Sequence, residues 1–361
     1  MGGTSGNQRG RTAPPKPPAP TNGTLKVLIV SDYAYPTGGV EQATTEVAAA
    51  LGTATSCKFL SWSEHVLHPP TVPLITIDNG DIRAAWAALD ECDVILMPVS
   101  FNVRLLSRFV SEYVSATGKP LVSVLHTSGH SDPSAASAPA QEAWLAEILR
   151  KSALAIAVAP ELAASVEHLT GPTTRLMTIE NGARLRREVA RARHERCTVG
   201  FMGRPVEQKG FPDFVRLSQA FAGSDLRFLA NTVSVPVKPD DYPTIEVSSL
   251  SSDQELEQFL DSVDVLVAPY RRADGLPLAL LEAINCGVPV IGYDAPGVGS
   301  LLRRHEQHVV DIGYDGLRAA VEGWARGELQ LRPPTPGRVP GWTSVGRQYV
   351  QAVTEIAVMR Q

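Results

Sequence analysis

From Leu25 onward the chain alternates short apolar runs with stretches at helical spacing, and it does so in two successive series. In the first series, strand-like runs lie at Leu25–Val30, Lys58–Ser61, Val72–Ile77, Asp93–Val99, Pro120–Leu125 and Ala153–Ala159. Helical stretches lie between them at Val40–Leu51, Asp81–Leu89, Asn102–Thr117, Ala138–Lys151 and Glu161–Leu169. A weaker strand, Arg175–Ile179, ends in the turn signal Asn181-Gly182. The second series has strands at Thr198–Met202, Leu226–Ala230, Thr244–Val247, Asp264–Ala268, Val288–Gly292 and His308–Asp311. Its helices fall at Phe211–Phe221, Asp253–Asp261, Leu278–Cys286 and Asp315–Arg326. Near-continuous apolar strands that alternate with helices are the pattern of parallel sheets covered on both faces. The expectation is therefore an α/β protein of two tandem Rossmann-like units, and 361 residues suffice for both.

The divisions follow from the same pattern. Residues 1–24 are rich in Gly, Pro and Thr with no apolar stretch, and are expected to be a disordered tail. Residues 25–183 form the first unit, 184–197 an Arg-rich hinge and 198–341 the second unit; 342–361 form a closing amphipathic helix that begins near Trp342. The net charge of −5 gives no global electrostatic case for nucleic-acid binding. No apolar run reaches the length of a membrane span. Cys57, Cys92, Cys197 and Cys286 lie far apart without metal-ligand spacing, which fits free thiols in a reducing, cytoplasmic setting, and no metal site is expected.

Open parallel sheets bind ligands beyond the carboxyl ends of their strands, so function belongs to the loops after Val30, Leu125, Met202 and Ala268. After Met202 comes Gly203-Arg204-Pro205-Val206-Glu207-Gln208-Lys209-Gly210. Arg204 can fork two phosphate oxygens and Lys209 adds a point charge, although Arg and Lys are also common solvated loop residues. After Ala268 comes a loop, then Asp274 and Glu282 bracketing Gly275–Leu281. Pro277 fits the first helical position, which leaves the amides near Leu278 and Ala279 aimed at a ligand with the helix dipole behind them. Glu282 lies about one turn further in, where a carboxylate can accept hydrogen bonds from ribose hydroxyls; within an apolar run it needs a partner. Asp274 is placed to hold hydroxyls of a sugar, or is a plain acid near the helix start.

These motifs together resemble the retaining GT-B glycosyltransferases of family 4. The resemblance rests on Gly203-Arg204…Lys209-Gly210, on Asp274-(seven residues)-Glu282, and on Gly287-Val288-Pro289-Val290-Ile291, in that order and each after a strand. It covers nearly the whole chain from Leu25. It implies two Rossmann-like domains facing each other across a cleft, with the C-terminal helix crossing back to the first domain. It implies that Arg204 and Lys209 bind a donor diphosphate, that Leu278 and Ala279 offer it their amides, that Glu282 binds the ribose and that Asp274 contacts the donor sugar. Gly38-Gly39 matches the glycine loop of the acceptor domain, which closes near the diphosphate. His126 matches the cleft histidine, with a contact to the sugar or to developing positive charge. The implied activity moves a sugar from a nucleotide-diphosphate donor, a UDP-sugar foremost, to an acceptor hydroxyl on a small molecule, lipid or glycan, with no other cofactor. Departures are also on the page: Asp274 replaces Glu, Ala183-Arg184 follows Asn181-Gly182 without an acid, and Asn231 stands where glycine is common.

Alternatives stay open at this level. A nucleotide-sugar epimerase of the same architecture, or a non-catalytic nucleotide-sugar-binding scaffold, would share these features. An NAD(P)-dependent oxidoreductase would show Gly-x-Gly-x-x-Gly after Val30 or Met202, and neither position has it. The arginines of 184–196 form either a solvated ion-paired face or a weak contact to an anionic acceptor or membrane surface. His65 and His130 carry no comparable motif and are expected to be structural.

Overall fold

The computed structural model describes residues 24–31, 38–61, 71–77, 82–99, 105–127, 138–184, 196–232, 237–249, 252–271 and 275–359. The first unit runs β1 (Lys26–Val30), α1 (Gly39–Gly52), β2 (Ser56–Ser61), β3 (Leu74–Thr76), α2 (Arg83–Glu91), β4 (Val94–Val99), α3 (Leu105–Thr117), β5 (Leu121–Leu125), α4 (Ala138–Lys151), β6 (Leu154–Ala157), α5 (Pro160–Val166) and β7 (Arg175–Thr178). The second runs β8 (Cys197–Gly203), α6 (Phe211–Ala220), β9 (Leu226–Thr232), β10 (Glu246–Ser248), α7 (Asp253–Asp261), β11 (Val265–Ala268), α8 (Leu278–Asn285), β12 (Val290–Tyr293), α9 (Val298–Arg304), β13 (His308–Val310) and α10 (Tyr314–Ala325). The chain closes with α11 (Trp342–Val358).

Every strand pairing is parallel. The two sheets are ordered β3-β2-β1-β4-β5-β6-β7 and β10-β9-β8-β11-β12-β13. Both therefore reverse direction of growth beside their first strand, at β1/β4 and at β8/β11, and a ligand crevice opens at such switch points. The strands are short, apolar and buried on both faces, as the sequence pattern requires.

Two cores result. One face of the second sheet packs an aromatic cluster in which Phe201, Phe211, Phe214 and Phe228 meet at centroid spacings of 5.3 to 6.4 Å. The other core is continuous from the first sheet through α1 and α11 to α7 and α8. The closing helix does cross back: Gly346 of α11 packs on α1 so tightly that a Cβ there would fall 2.1 Å from Cβ of Ala50.

Two local readings change. Pro277 caps α8 with extended backbone (ψ 119°) rather than opening it, so the helix starts at Leu278. Helix α9 carries no sequence signal because Gly297 and Gly299 interrupt its first turn. The tail, His65, His130 and the hinge residues 185–195 lie outside the described residues.

Candidate functional site at the carboxyl edges of the two sheets

The loop after β8 and the loop after β11 are built as one unit. Gly210 holds left-handed backbone (φ 71°) between a short 3-10 turn at Glu207–Lys209 and α6. A Cβ there would sit 1.8 Å from the carbonyl oxygen of Pro269, so only glycine lets the two loops meet. The N–H of Arg271 donates to the carbonyl of Gln208 at 3.0 Å, and the Tyr270 hydroxyl donates to that of Met202 at 3.3 Å. Beneath them Asp213, 1% exposed in the first turn of α6, accepts a bidentate pair from Arg271 at 2.7 to 2.9 Å and a further bond from the Tyr293 hydroxyl at 2.9 Å. Sequence reading overlooked this clamp because Asp213 looks like an ordinary first-turn acid and its partners are distant in the chain. Asp213→Ala leaves the buried Tyr293 hydroxyl without its acceptor and releases Arg271 to solvent; a loss of about 2 to 3 kcal/mol in denaturant unfolding is expected.

Lys209 is set on this platform. Its ammonium lies 4.2 Å from the centroid of the Tyr270 ring, and Arg204 stands exposed beside it. Burial, with Arg204 adding to it, brings the Lys209 pKa down to about 7. Two basic groups held together in this way suit the charge of an anion.

The loop after β11 leads into the first residues of α8. Leu278 is buried against α1: a Cβ on Gly39 would lie 3.9 Å from its Cγ. The first intrahelical bonds run from Leu280 and Leu281 to the carbonyl of Pro277, so the amides of Leu278 and Ala279 precede the helical ladder. One turn on, Glu282 is 3% exposed. The partner its burial demands is Arg184, whose N–H donates to Oε1 at 2.8 Å and whose Nε lies 3.5 Å away; Arg184 also bridges to Asp253 at 2.7 Å. Glu46 of α1 faces the same group, and burial raises its pKa while Arg184 pulls the other way. The residue that replaces the expected acid after Asn181-Gly182 thus links α1, α7 and α8.

The two units also touch directly. A Cβ on Gly275 would lie 2.0 Å from the carbonyl oxygen of His126, and Asn181 Nδ2 donates to the carbonyl of Leu276 at 3.2 Å. The structure is therefore a closed one at this point. His126 is 7% exposed, and its ring lines a small cavity with Thr44, Pro98 and Tyr349. Burial takes its pKa down to about 4, which favours the neutral ring, a donor at one nitrogen and an acceptor at the other. Gly38 and Gly39 lie at the start of α1 on the same side. Asp274 lies outside the described residues. Among those residues no cluster of His, Cys, Asp or Glu could hold a metal ion. No helix among them is long and apolar enough to cross a membrane.

The fold has known counterparts. Residues 196–322 match the family model of glycosyl transferases group 1. No curated protein sequence matches the chain. Solved structures match almost its full length at low identity. A sucrose-phosphate synthase from Thermosynechococcus elongatus superposes with a TM-score of 0.69 at 17% identity, over 93% of this chain and 97% of that one. Anabaena HepE, solved in complex with UDP and glucose, gives 0.65 at 13% identity, over 92% and 100%. A UDP-forming alpha,alpha-trehalose-phosphate synthase from Burkholderia vietnamiensis gives 0.60 at 11% identity, over 93% and 100%. The chain has the GT-B fold, and its second unit carries the glycosyl transferases group 1 signature.

Proposed function

We propose that the protein is a retaining glycosyltransferase of the family 4 type, which transfers a sugar from a UDP-sugar to an acceptor hydroxyl. The observation that carries this reading is the joining of the β8 and β11 loops at the switch point of the second sheet, since the first of these loops holds Arg204 and Lys209 and the second leads into α8. The matched family model and the UDP-bound neighbour support the same donor class.

In this mechanism the donor diphosphate lies between Arg204, Lys209 and the amides of Leu278 and Ala279. Glu282 takes the ribose, and Asp274 and the neutral His126 take hydroxyls of the sugar. The bond from the anomeric carbon to the diphosphate breaks, and negative charge grows on the leaving oxygen next to the two cations. The acceptor oxygen bonds to the same face of the anomeric carbon through an oxocarbenium-like state, and its proton passes to the leaving phosphate oxygen. The protein supplies position, charge and exclusion of water. The acceptor is a small molecule, lipid or glycan bound by the first unit.

A thermal-shift panel of UDP-, GDP-, dTDP- and ADP-sugars tests the donor, since a ligand of the folded state raises the melting temperature. The UDP-sugars are expected to give the largest shift. Donor consumption that rises when acceptor is added distinguishes transfer from epimerisation, which needs no acceptor. A panel with no shift for any nucleotide sugar contradicts the proposal.

Lys209 also fixes a pH dependence. Its pKa is lowered in the free protein, and a bound diphosphate would raise it again, so binding above pH 7 takes up a proton. UDP-sugar affinity is expected to fall as pH rises from 7 to 9, with uptake of about one proton at pH 8 by calorimetry in buffers of different ionisation enthalpy. In the free protein the sign is reversed. A lysine with a depressed pKa releases its proton on folding between about 7 and its ordinary 10.5, so its contribution to stability rises with pH through that window.

A further inference from the structure

The second sheet contains a buried polar atom that no described residue satisfies. Asn231 is 3% exposed, and its Oδ1 has no hydrogen-bond partner. A buried acceptor left in this state is unfavourable and calls for a reason.

Its place in the sheet supplies one. Side chains alternate along β9: Phe228 and Ala230 enter the aromatic core beside α6, while Leu229 joins the core that includes Leu256, Phe259 and Leu260 of α7. Asn231 shares the face of Leu229. In register it lies between Met202 at the end of β8 and the exposed Ser248 at the end of β10. It is therefore at the carboxyl edge of the sheet, one strand outward from the switch point at β8/β11.

The same direction is marked by charged groups. Glu282 on α8 is tied through Arg184 to Asp253 at the start of α7, the helix that follows β10. A nucleotide with its diphosphate at β8/β11 and its ribose on Glu282 would extend along this line toward the ends of β9 and β10. Asn231 lies at that edge of the sheet.

We infer that Asn231 selects the base of the nucleotide donor, with Oδ1 accepting a ring N–H and Nδ2 available to the neighbouring carbonyl. Uracil presents that pair at N3–H and its flanking oxygens. This inference rests on the donor site of the preceding section and adds to it the residue that distinguishes the base.

Two variants test it by calorimetry with UDP and GDP at fixed salt and pH. Asn231→Leu removes the unsatisfied atom. Its melting temperature without ligand is expected to equal or exceed that of the wild type, while UDP affinity falls about tenfold or more. Asn231→Asp offers acceptors only, which suit the adjacent N1–H and N2–H of guanine and repel the oxygens of uracil. Its ratio of GDP to UDP affinity is expected to rise about tenfold or more over wild type. UDP and GDP affinities unchanged in both variants, with the wild type binding UDP, would overturn the role of Asn231 alone. A wild-type protein that binds neither nucleotide would overturn the donor site itself.

Discussion

Lys209→Ala is expected to lower turnover by about a hundredfold or more, and Arg204→Ala by a similar factor. Both side chains face charge that is greatest as the diphosphate leaves, so the loss should fall on kcat more than on KM. The platform beneath Lys209 makes the prediction specific. Tyr270 holds its ammonium at 4.2 Å from the ring, and Gly210 fixes the turn that delivers it. Removal of the side chain leaves that backbone intact, because the Arg271–Asp213 clamp does not involve it. The melting temperature without ligand should not fall, since a depressed pKa marks a lysine whose charged form burial disfavours. Steady-state kinetics beside thermal unfolding check both statements. Near-normal turnover in both variants would refute the roles assigned to them.

The second large effect comes from a residue with no side chain. Gly275→Ala places a methyl group 2.0 Å from the carbonyl oxygen of His126, a distance that no rotamer change can relieve because the obstacle is backbone. The contact joins the two units, so the strain is relieved by opening the cleft. The aromatic core of the second sheet and the strand pairing of both sheets lie away from this contact, so secondary structure is expected to be retained. Turnover is expected to fall about a hundredfold, because an open cleft loses the alignment of donor and acceptor and admits water. Small-angle scattering should report a larger radius of gyration than wild type at equal secondary-structure content by circular dichroism. Wild-type activity in Gly275→Ala would show that the closed contact plays no part in the reaction.

What the sequence revealed, and what it concealed, follows from the range of the interactions. Strand runs such as Leu121–Leu125 and helices such as Ala138–Lys151 and Asp253–Asp261 were legible because burial on two faces imposes an unbroken apolar run and burial on one face imposes a helical period. The order of strands in each sheet was not legible, because it depends on which distant strands pair. Short motifs in the segments after β8 and β11 singled out Arg204, Lys209, Leu278 and Glu282 as candidates for a donor site. Three features had no local signal. The clamp on Asp213 joins residues from α6, the loop after β11 and β12. The pairing of Arg184 with Glu282 joins the hinge to α8 across 98 positions. The contact of Gly275 with His126 depends on how the two units pack against each other. Helix α9 was missed for the opposite reason: its local signal, two glycines in one turn, points away from helix, and packing of Val298, Leu301 and Leu302 overrides it.

The account depends on one placement above all, that of a diphosphate at the β8/β11 switch point. A crystal structure with UDP bound tests it most directly. The account predicts phosphate oxygens within hydrogen-bond distance of Lys209, Arg204 and the amides of Leu278 and Ala279, with the ribose on Glu282. A nucleotide bound elsewhere, or phosphates lying away from Lys209 and Arg204, would contradict it.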